Sequence, residues 1–168
     1  MIEQTHSVAM NGKRNGLETS DSLDSIDYKL LDILQVEGRL GVTELGRRIN
    51  LSQPAVSARI KRLEQSGVIS GYRAVVDHGK LGLNIHAVIR LRTTHARIAA
   101  ALEHFAQLPE IANVFRLTGD DCFLIDVRAR DSERLETIVD GIARFGPVTT
   151  SLVLRAYETN AVGPYQDC

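Results

Sequence analysis

The chain has little cysteine, no long apolar run and almost no net charge, and each scarcity removes a class of protein. Its 168 residues hold two cysteines, Cys122 inside the chain and Cys168 at its last position. That pair offers neither the close spacing of a zinc site nor a disulfide framework, and it suits a reducing compartment. No stretch approaches the roughly 18 consecutive apolar residues that span a bilayer. The first residues, among them Glu3, Asn11, Lys13 and Arg14, lack the apolar core of a secretory signal. The expectation is a soluble cytoplasmic protein with no membrane partner, no metal and no cofactor. Its length suits one average domain or two small ones.

A formal net charge of −1 looks unpromising for contact with a polyanion, but the total conceals an uneven distribution. Between Arg39 and Arg73 stand Arg39, Arg47, Arg48, Arg59, Lys61, Arg62 and Arg73, opposed only by Glu44 and Glu64. That segment is therefore about +5, whereas acids outnumber arginines from Leu83 onward for a net of about −2. A basic front and a mildly acidic rear imply two jobs. Local field, rather than the sum, governs contact with phosphate.

Residues 1–22 are polar and aperiodic, and are expected to form a disordered tail in which Met10 is a second candidate start. Helical spacing begins with Leu23, Ile26, Leu30, Ile33 and Leu34. Asp24 caps this first helix, Asp27 complements its dipole, and Gly38 and Gly41 end it. A short second helix runs from about Thr43, its cap, to Ile49. Asn50 follows at a position where a left-handed residue commonly closes a helix. Ser52 caps a third helix, Pro54 sits in its first turn, and Gly67 stops it. Val56, Ile60 and Leu63 form its inward stripe. Val68 to Val76 reads as two extended pieces around Gly71, a candidate wing. The first domain thus spans 23–77, with a linker at 78–83.

The second half, 84–158, changes period. Ile85, Ala87, Ile89 and Leu91 alternate with His86, Val88, Arg90 and Arg92, as in a strand with two faces. Ile98, Leu102 and Phe105 mark a helix; Ile111–Leu117 and Phe123–Ala129 are strands around Thr118-Gly119-Asp120-Asp121. Leu135, Ile138, Val139 and Ile142 give another helix, capped by Asp131 or Ser132. Val148 to Tyr157 reads as the last strand, and residues 159–168 as a C-terminal tail. The fold class is α+β, a winged helix-turn-helix followed by a ferredoxin-like βαββαβ domain. Val88 beside Ile89 and Leu124 beside Phe123 make the sheet apolar on both faces, so a second copy is expected to cover one.

Two helices joined by a tight turn, the second basic, suit the major groove of double-stranded DNA. Gln53, Ser57 and Lys61 project away from the apolar stripe, with Ser52 and Pro54 at the entering end. Glutamine pairs with adenine, and serine bonds either base class. Arg59, Lys61 and Arg62 flank this face, and Arg73 lies on the wing, all placed for phosphates. Periodicity alone does not separate this arrangement from a plain three-helix bundle with solvated charges.

The spaced residues are more specific. Leu23-Asp24-Ser25-Ile26-Asp27, Gly38-Arg39, Glu44-Leu45, Leu51-Ser52 and Val56-x-x-Arg59-Ile60-x-Arg62-Leu63-Glu64-x-x-Gly67-Val68-Ile69-x-Gly71-Tyr72 together resemble the leucine-responsive and asparagine regulator (Lrp/AsnC) family, from about Leu23 to Tyr157. The resemblance implies a transcriptional regulator whose second domain dimerises, assembles further to a tetramer or octamer, and binds a small effector, typically an amino acid. Its matching signatures are Thr118-Gly119-Asp120-Asp121-Cys122-Phe123-Leu124-Ile125 and Gly146-Pro147-Val148-Thr149-Thr150-Ser151. The candidate effector residues are Thr118, Gly119, Asp120, Asp121, Cys122, Thr149, Thr150 and Ser151. An amino acid needs acceptors for its ammonium, here Asp120 or Asp121, and donors for its carboxylate, here hydroxyls. The plain alternative is that Gly119-Asp120-Asp121 is only a hairpin turn.

Three residues depart from the family pattern. Gly46 stands where alanine is usual, at a helix cost on the order of 1 kcal/mol; Asn50 stands where glycine is common; and Cys122 stands where many relatives carry aspartate. Some proteins that resemble this family are enzymes, notably siroheme decarboxylases, which use a tetrapyrrole pocket with a catalytic histidine, and such an enzyme is the alternative reading. His86, His95 and His104 are the histidines of the second domain weighed for that role, and no catalytic residue is assigned.

Overall fold

A computed structural model describes residues 23–157. The tails expected at 1–22 and 159–168 lie outside the described residues. Contacts divide the described chain between Val75 and Val76 into two units.

The first unit is built from α1 (Ser25–Val36), α2 (Val42–Ile49) and α3 (Gln53–Gln65). Asp24 caps α1 by accepting the N–H groups of Ile26 and Asp27, each at 2.9 Å, while Asp27 accepts the N–H of Asp24 at 3.0 Å. This reciprocal box satisfies donors that a helix start leaves orphaned. The cap of α2 is Gly41, not Thr43, and no side chain serves it. Val42 packs on the apolar cluster, which draws it into the first turn and moves the cap two residues earlier than expected. Asn50 takes the expected left-handed conformation, φ 56° and ψ 45°. Ser52 has cap geometry, but its hydroxyl makes no capping bond. Leu30, Leu45 and Val56 form the buried centre, with Ile33, Leu34, Leu40, Ile49, Leu51 and Ile60 around it.

The candidate wing does not form a paired hairpin. Residues 70–77 have no strand partner among the described residues, and Val75 is 99% exposed. The expected linker instead contains one 3-10 turn, Gly79–Leu81, opened by Asp77 accepting the Gly79 N–H at 3.0 Å.

The second unit contains β1 (Ile85–Leu91), α4 (Ile98–Ala106), β2 (Ile111–Arg116), β3 (Phe123–Ala129), α5 (Ser132–Ala143) and β4 (Val148–Leu152). The strands lie in the order β2-β3-β1-β4, every neighbouring pair antiparallel. Ala87, Ile89 and Leu91 of β1 and Phe123, Ile125 and Val127 of β3 face a core completed by Phe105 of α4 and Ile138 and Ile142 of α5. Asp131 caps α5 by accepting the Arg134 N–H at 2.7 Å. β4 stops at Leu152, short of Tyr157, because its partner runs out. Leu152 pairs with Ala87, Val153 still donates to the His86 carbonyl, and β1 begins at Ile85.

The other face of the sheet is less apolar than expected. Val88, Leu124 and Phe115 share it with His86, Arg90 and Asp126, as the register requires. His86 Nε2 lies 2.8 Å from Asp126 Oδ1, and Arg128 Nε lies 3.7 Å from the same oxygen. Among the described residues no helix is long and apolar enough to cross a membrane.

Candidate DNA-reading helix and effector loop

On α3 the apolar stripe decides which side chains remain free. Val56 and Leu63 are fully buried and Ile60 is half-buried, so Gln53, Ser57 and Lys61 are exposed along another face, with Ser52 and Pro54 exposed at its start. The turn before α3 closes tightly over α2. Leu51 N–H donates to the Gly46 carbonyl at 2.9 Å. A Cβ on Gly46 would sit 2.5 Å from the Leu51 carbonyl oxygen and 3.6 Å from Val56 Cγ2. Gly46 is therefore the residue that lets the turn approach, rather than only a weak point in α2.

The arginines do not all face outward. Arg59, expected at a phosphate, places NH1 2.7 Å from Asp24 Oδ2 and 2.8 Å from Asp27 Oδ1. Arg62, given the same role, bonds Asp27 Oδ2 through NH2. Asp27 is fully buried, so it does far more than complement a helix dipole. Backbone donation from Asp27 and the Arg59 guanidinium hold the Asp24 carboxyl below its ordinary range. On α2, Arg47 and Arg48 both hold Glu44, whose pKa falls to about 2, and Arg48 also reaches Glu37. Arg73 is exposed beyond α3. The Asp24/Asp27 partnership was missed in the sequence. Its signal was two acids three residues apart matched by two arginines three residues apart.

In the second unit the loop Thr118–Asp121 joins β2 to β3. Leu117 N–H donates to the Cys122 carbonyl and Cys122 N–H to the Leu91 carbonyl, so the loop is tied to the end of β1. Gly119 has φ +98°, a conformation that favours glycine. Cys122 is a structural tie: its Sγ donates to the Thr93 carbonyl at 3.0 Å. Asp120 lies 3.3 Å from Arg92 and Asp121 3.9 Å from Arg90. Arg116 donates to the Cys122 carbonyl and stacks on Phe123 at 4.8 Å. These three arginines belong to the loop's surroundings, and the sequence reading did not assign them to the site.

Register sorts the hydroxyls. Thr149 pairs with Arg90 and Ser151 with Val88, both on the face opposite the core, whereas Thr150 pairs with the inward Ile89. Thr149, Arg90, Leu124 and Phe115 thus form one row across the sheet, with Asp121 beside Arg90. Thr150 does not share that face. The weighed histidines occupy separate settings: His86 on Asp126, His104 against Phe145 with ring centroids 5.4 Å apart, and His95 exposed.

Comparison with known proteins bears on both units. The AsnC-type helix-turn-helix domain matches residues 23–64, and the Lrp/AsnC ligand binding domain matches residues 86–162. The HTH-type transcriptional regulator FL11 of Pyrococcus furiosus is 32% identical over 81% of this chain and 92% of its own length. The HTH-type transcriptional regulator LrpC of Bacillus subtilis is 29% identical over 82% of the chain and 95% of its own. A solved structure of that LrpC superposes with a TM-score of 0.78, covering 82% of this chain and 99% of its own. A Neisseria meningitidis transcriptional regulator in complex with L-Met, 28% identical, gives 0.77 over 85% of this chain and 97% of its own. With two domain matches in this order and a relative 32% identical over 81% of the chain, the chain belongs to the Lrp/AsnC family of helix-turn-helix transcriptional regulators.

Proposed function

We propose that this regulator reads double-stranded DNA with Gln53, Ser57 and Lys61 of α3 and answers to an amino acid bound near Thr118–Asp121. The observation that carries the first half is the exposed face of α3, whose three polar side chains point away from a stripe locked in the core. Ser52 and Pro54 at the helix start and Arg73 beyond its end lie against the backbone, which fixes register without reading sequence. For the second half, Asp120 and Asp121 take the ammonium, and Thr149, Ser151 and the neighbouring arginines take the carboxylate. The complex of a structural relative with L-Met supports an amino acid as the ligand class. The protein acts in the cytoplasm as a homodimer or a higher assembly, which sets two copies of α3 on a two-fold site. No residue is assigned a catalytic role, and among the described residues the decarboxylase reading has no histidine constellation in its favour.

Coupling requires the effector to prefer one assembly over another by a few kcal/mol. The test is a thermal-shift screen across the amino acids on the full chain, repeated with Asp121→Ala. One or a few amino acids should raise the melting temperature, and the variant should lose that shift. If no amino acid shifts the wild-type protein, the sensing half falls. If the full chain enriches no duplex from a randomised library, the reading half falls.

A further inference from the structure

The basic segment is far less free than its charge count suggests. Arg47 and Arg48 hold Glu44, Arg48 also holds Glu37, and Arg59 and Arg62 hold Asp27. Among the described residues only Arg39, Lys61 and Arg73 of that segment have no carboxylate partner. We infer that Asp27 is the positioning residue of the reading helix, which takes Arg59 and Arg62 away from phosphate and uses them to fix the rotation of α3 about its own axis.

The geometry is specific. Each oxygen of the fully buried Asp27 carboxylate has its own guanidinium: Oδ1 takes Arg59 and Oδ2 takes Arg62, with the Asp24 N–H also on Oδ2. Asp24 Oδ2 holds Arg59 a second time. A buried carboxylate is stable only while paired, so this contact resists any slide that would open it. The apolar stripe Val56, Ile60 and Leu63 opposes a large turn, which would expose it, but tolerates a small one, because dispersion and burial are not directional. Hydrogen bonds to two fixed oxygens are directional. Arg59 and Arg62 stand three residues apart on the flank facing α1, and Gln53, Ser57 and Lys61 stand four apart on the exposed face. Turning α3 enough to re-aim the second set pulls a guanidinium of the first set off Asp27.

The inference rests on the proposed reading of DNA by α3. Its test uses the full chain, a duplex enriched by the wild-type protein from a randomised library, and a scrambled duplex of equal length. Binding to both is measured across a salt series. Arg73→Gln should flatten the dependence of log K on log salt by about 0.9 for each bound copy, as expected for one lost phosphate contact. Arg59→Gln should leave that slope unchanged yet cut the preference between duplexes by about tenfold or more. Asp27→Asn should steepen the slope, by up to about 1.8 per copy, as two guanidiniums turn to phosphate, and should lower the preference as well. Should Asp27→Asn fail to fold, Arg59→Lys replaces it. That variant keeps the charge but not the planar fork, so slope is retained and preference falls. Flattening by Arg59→Gln equal to that of Arg73→Gln overturns the inference, as does undiminished preference in the Arg59 variants. A wild-type protein with no preference at all removes the reading itself and this inference with it.

Discussion

Gly46→Ala is the substitution on which helix propensity and packing disagree. In a helix interior, alanine is favoured over glycine by about 1 kcal/mol, so propensity alone predicts a more stable α2. The structure predicts the opposite sign. The new Cβ would lie 2.5 Å from the Leu51 carbonyl oxygen, a backbone atom that has no rotamer to change. Ordinary contact requires the turn Asn50–Leu51 to move outward by about 0.9 Å or more, against the Leu51-to-Gly46 hydrogen bond of 2.9 Å and the half-buried Leu51 side chain. Overpacking of this kind costs about 1–3 kcal/mol, leaving a net loss of roughly 1 kcal/mol. For a unit of this size that lowers the melting temperature by roughly 4–8 °C, read by the helical circular dichroism signal. An alanine at position 46 then needs a turn that is free to shift, and glycine is the residue that holds φ 56° at position 50 with least strain. Asn50→Gly should therefore rescue Gly46→Ala, with a favourable coupling of about 0.5–1 kcal/mol in a double-mutant cycle. A rise in melting temperature for Gly46→Ala alone, or strict additivity of the two changes, would refute the reasoning.

Other substitutions test neighbouring parts of the structure. Asn50→Ala should cost about 1 kcal/mol, because alanine has no side-chain compensation at φ 56°; unchanged stability would mean that the turn is not held left-handed. Gly146→Ala should destabilise the second unit by at least about 2 kcal/mol, since φ is +151° and a Cβ would fall 2.1 Å from the Arg92 carbonyl oxygen. A thermal melt of the sheet-containing unit reads this directly. Glu44 ionises in the folded state at about 2 instead of 4.5, owing to Arg47 and Arg48. A depressed folded pKa stabilises fully above the unfolded value and is lost as pH falls through the folded one. Wild-type stability should therefore decline between about pH 4.5 and 2, and Glu44→Gln should decline less over that window. An identical decline in both proteins would show that the ion pair contributes nothing.

The elements most legible in the sequence were those with a clean period and a chemical stop. β1 and β3 alternate apart from Val88 and Leu124 and are bounded by Asn84 and Thr118–Cys122, so Phe123–Ala129 follows the pattern to the residue and Ile85–Leu91 stops one residue before the run ends at Arg92. α1 and α5 begin where Asp24 and Asp131 supply an oxygen for orphaned N–H groups. Failures arose where a non-local partner decides. β4 stops when β1 ends, a limit invisible within residues 148–157. Val68 to Val76 has strand-like composition, but a strand requires something to pair with, and the unit provides nothing among the described residues. Thr43 is a better cap than Gly41 by residue type, yet burial of Val42 sets the start of α2.

The candidate site was legible in a different measure, because a helix wheel orders faces but does not assign partners. Val56, Ile60 and Leu63 suffice to point Gln53, Ser57 and Lys61 outward, since only the position of the core matters. Arg59 and Arg62 lie on the flank between core and solvent, where a long guanidinium side chain swings either way. What decides is the presence of a carboxylate across the interface, and that carboxylate comes from a residue more than thirty positions earlier. A local charge of about +5 is thus an upper bound on what a phosphate backbone meets. The same cations that advertise a DNA-binding segment are in part its internal struts, so counting them measures the composition of the unit and not its footprint. Salt dependence, which counts only cations that displace counterions, is the observable that separates the two roles.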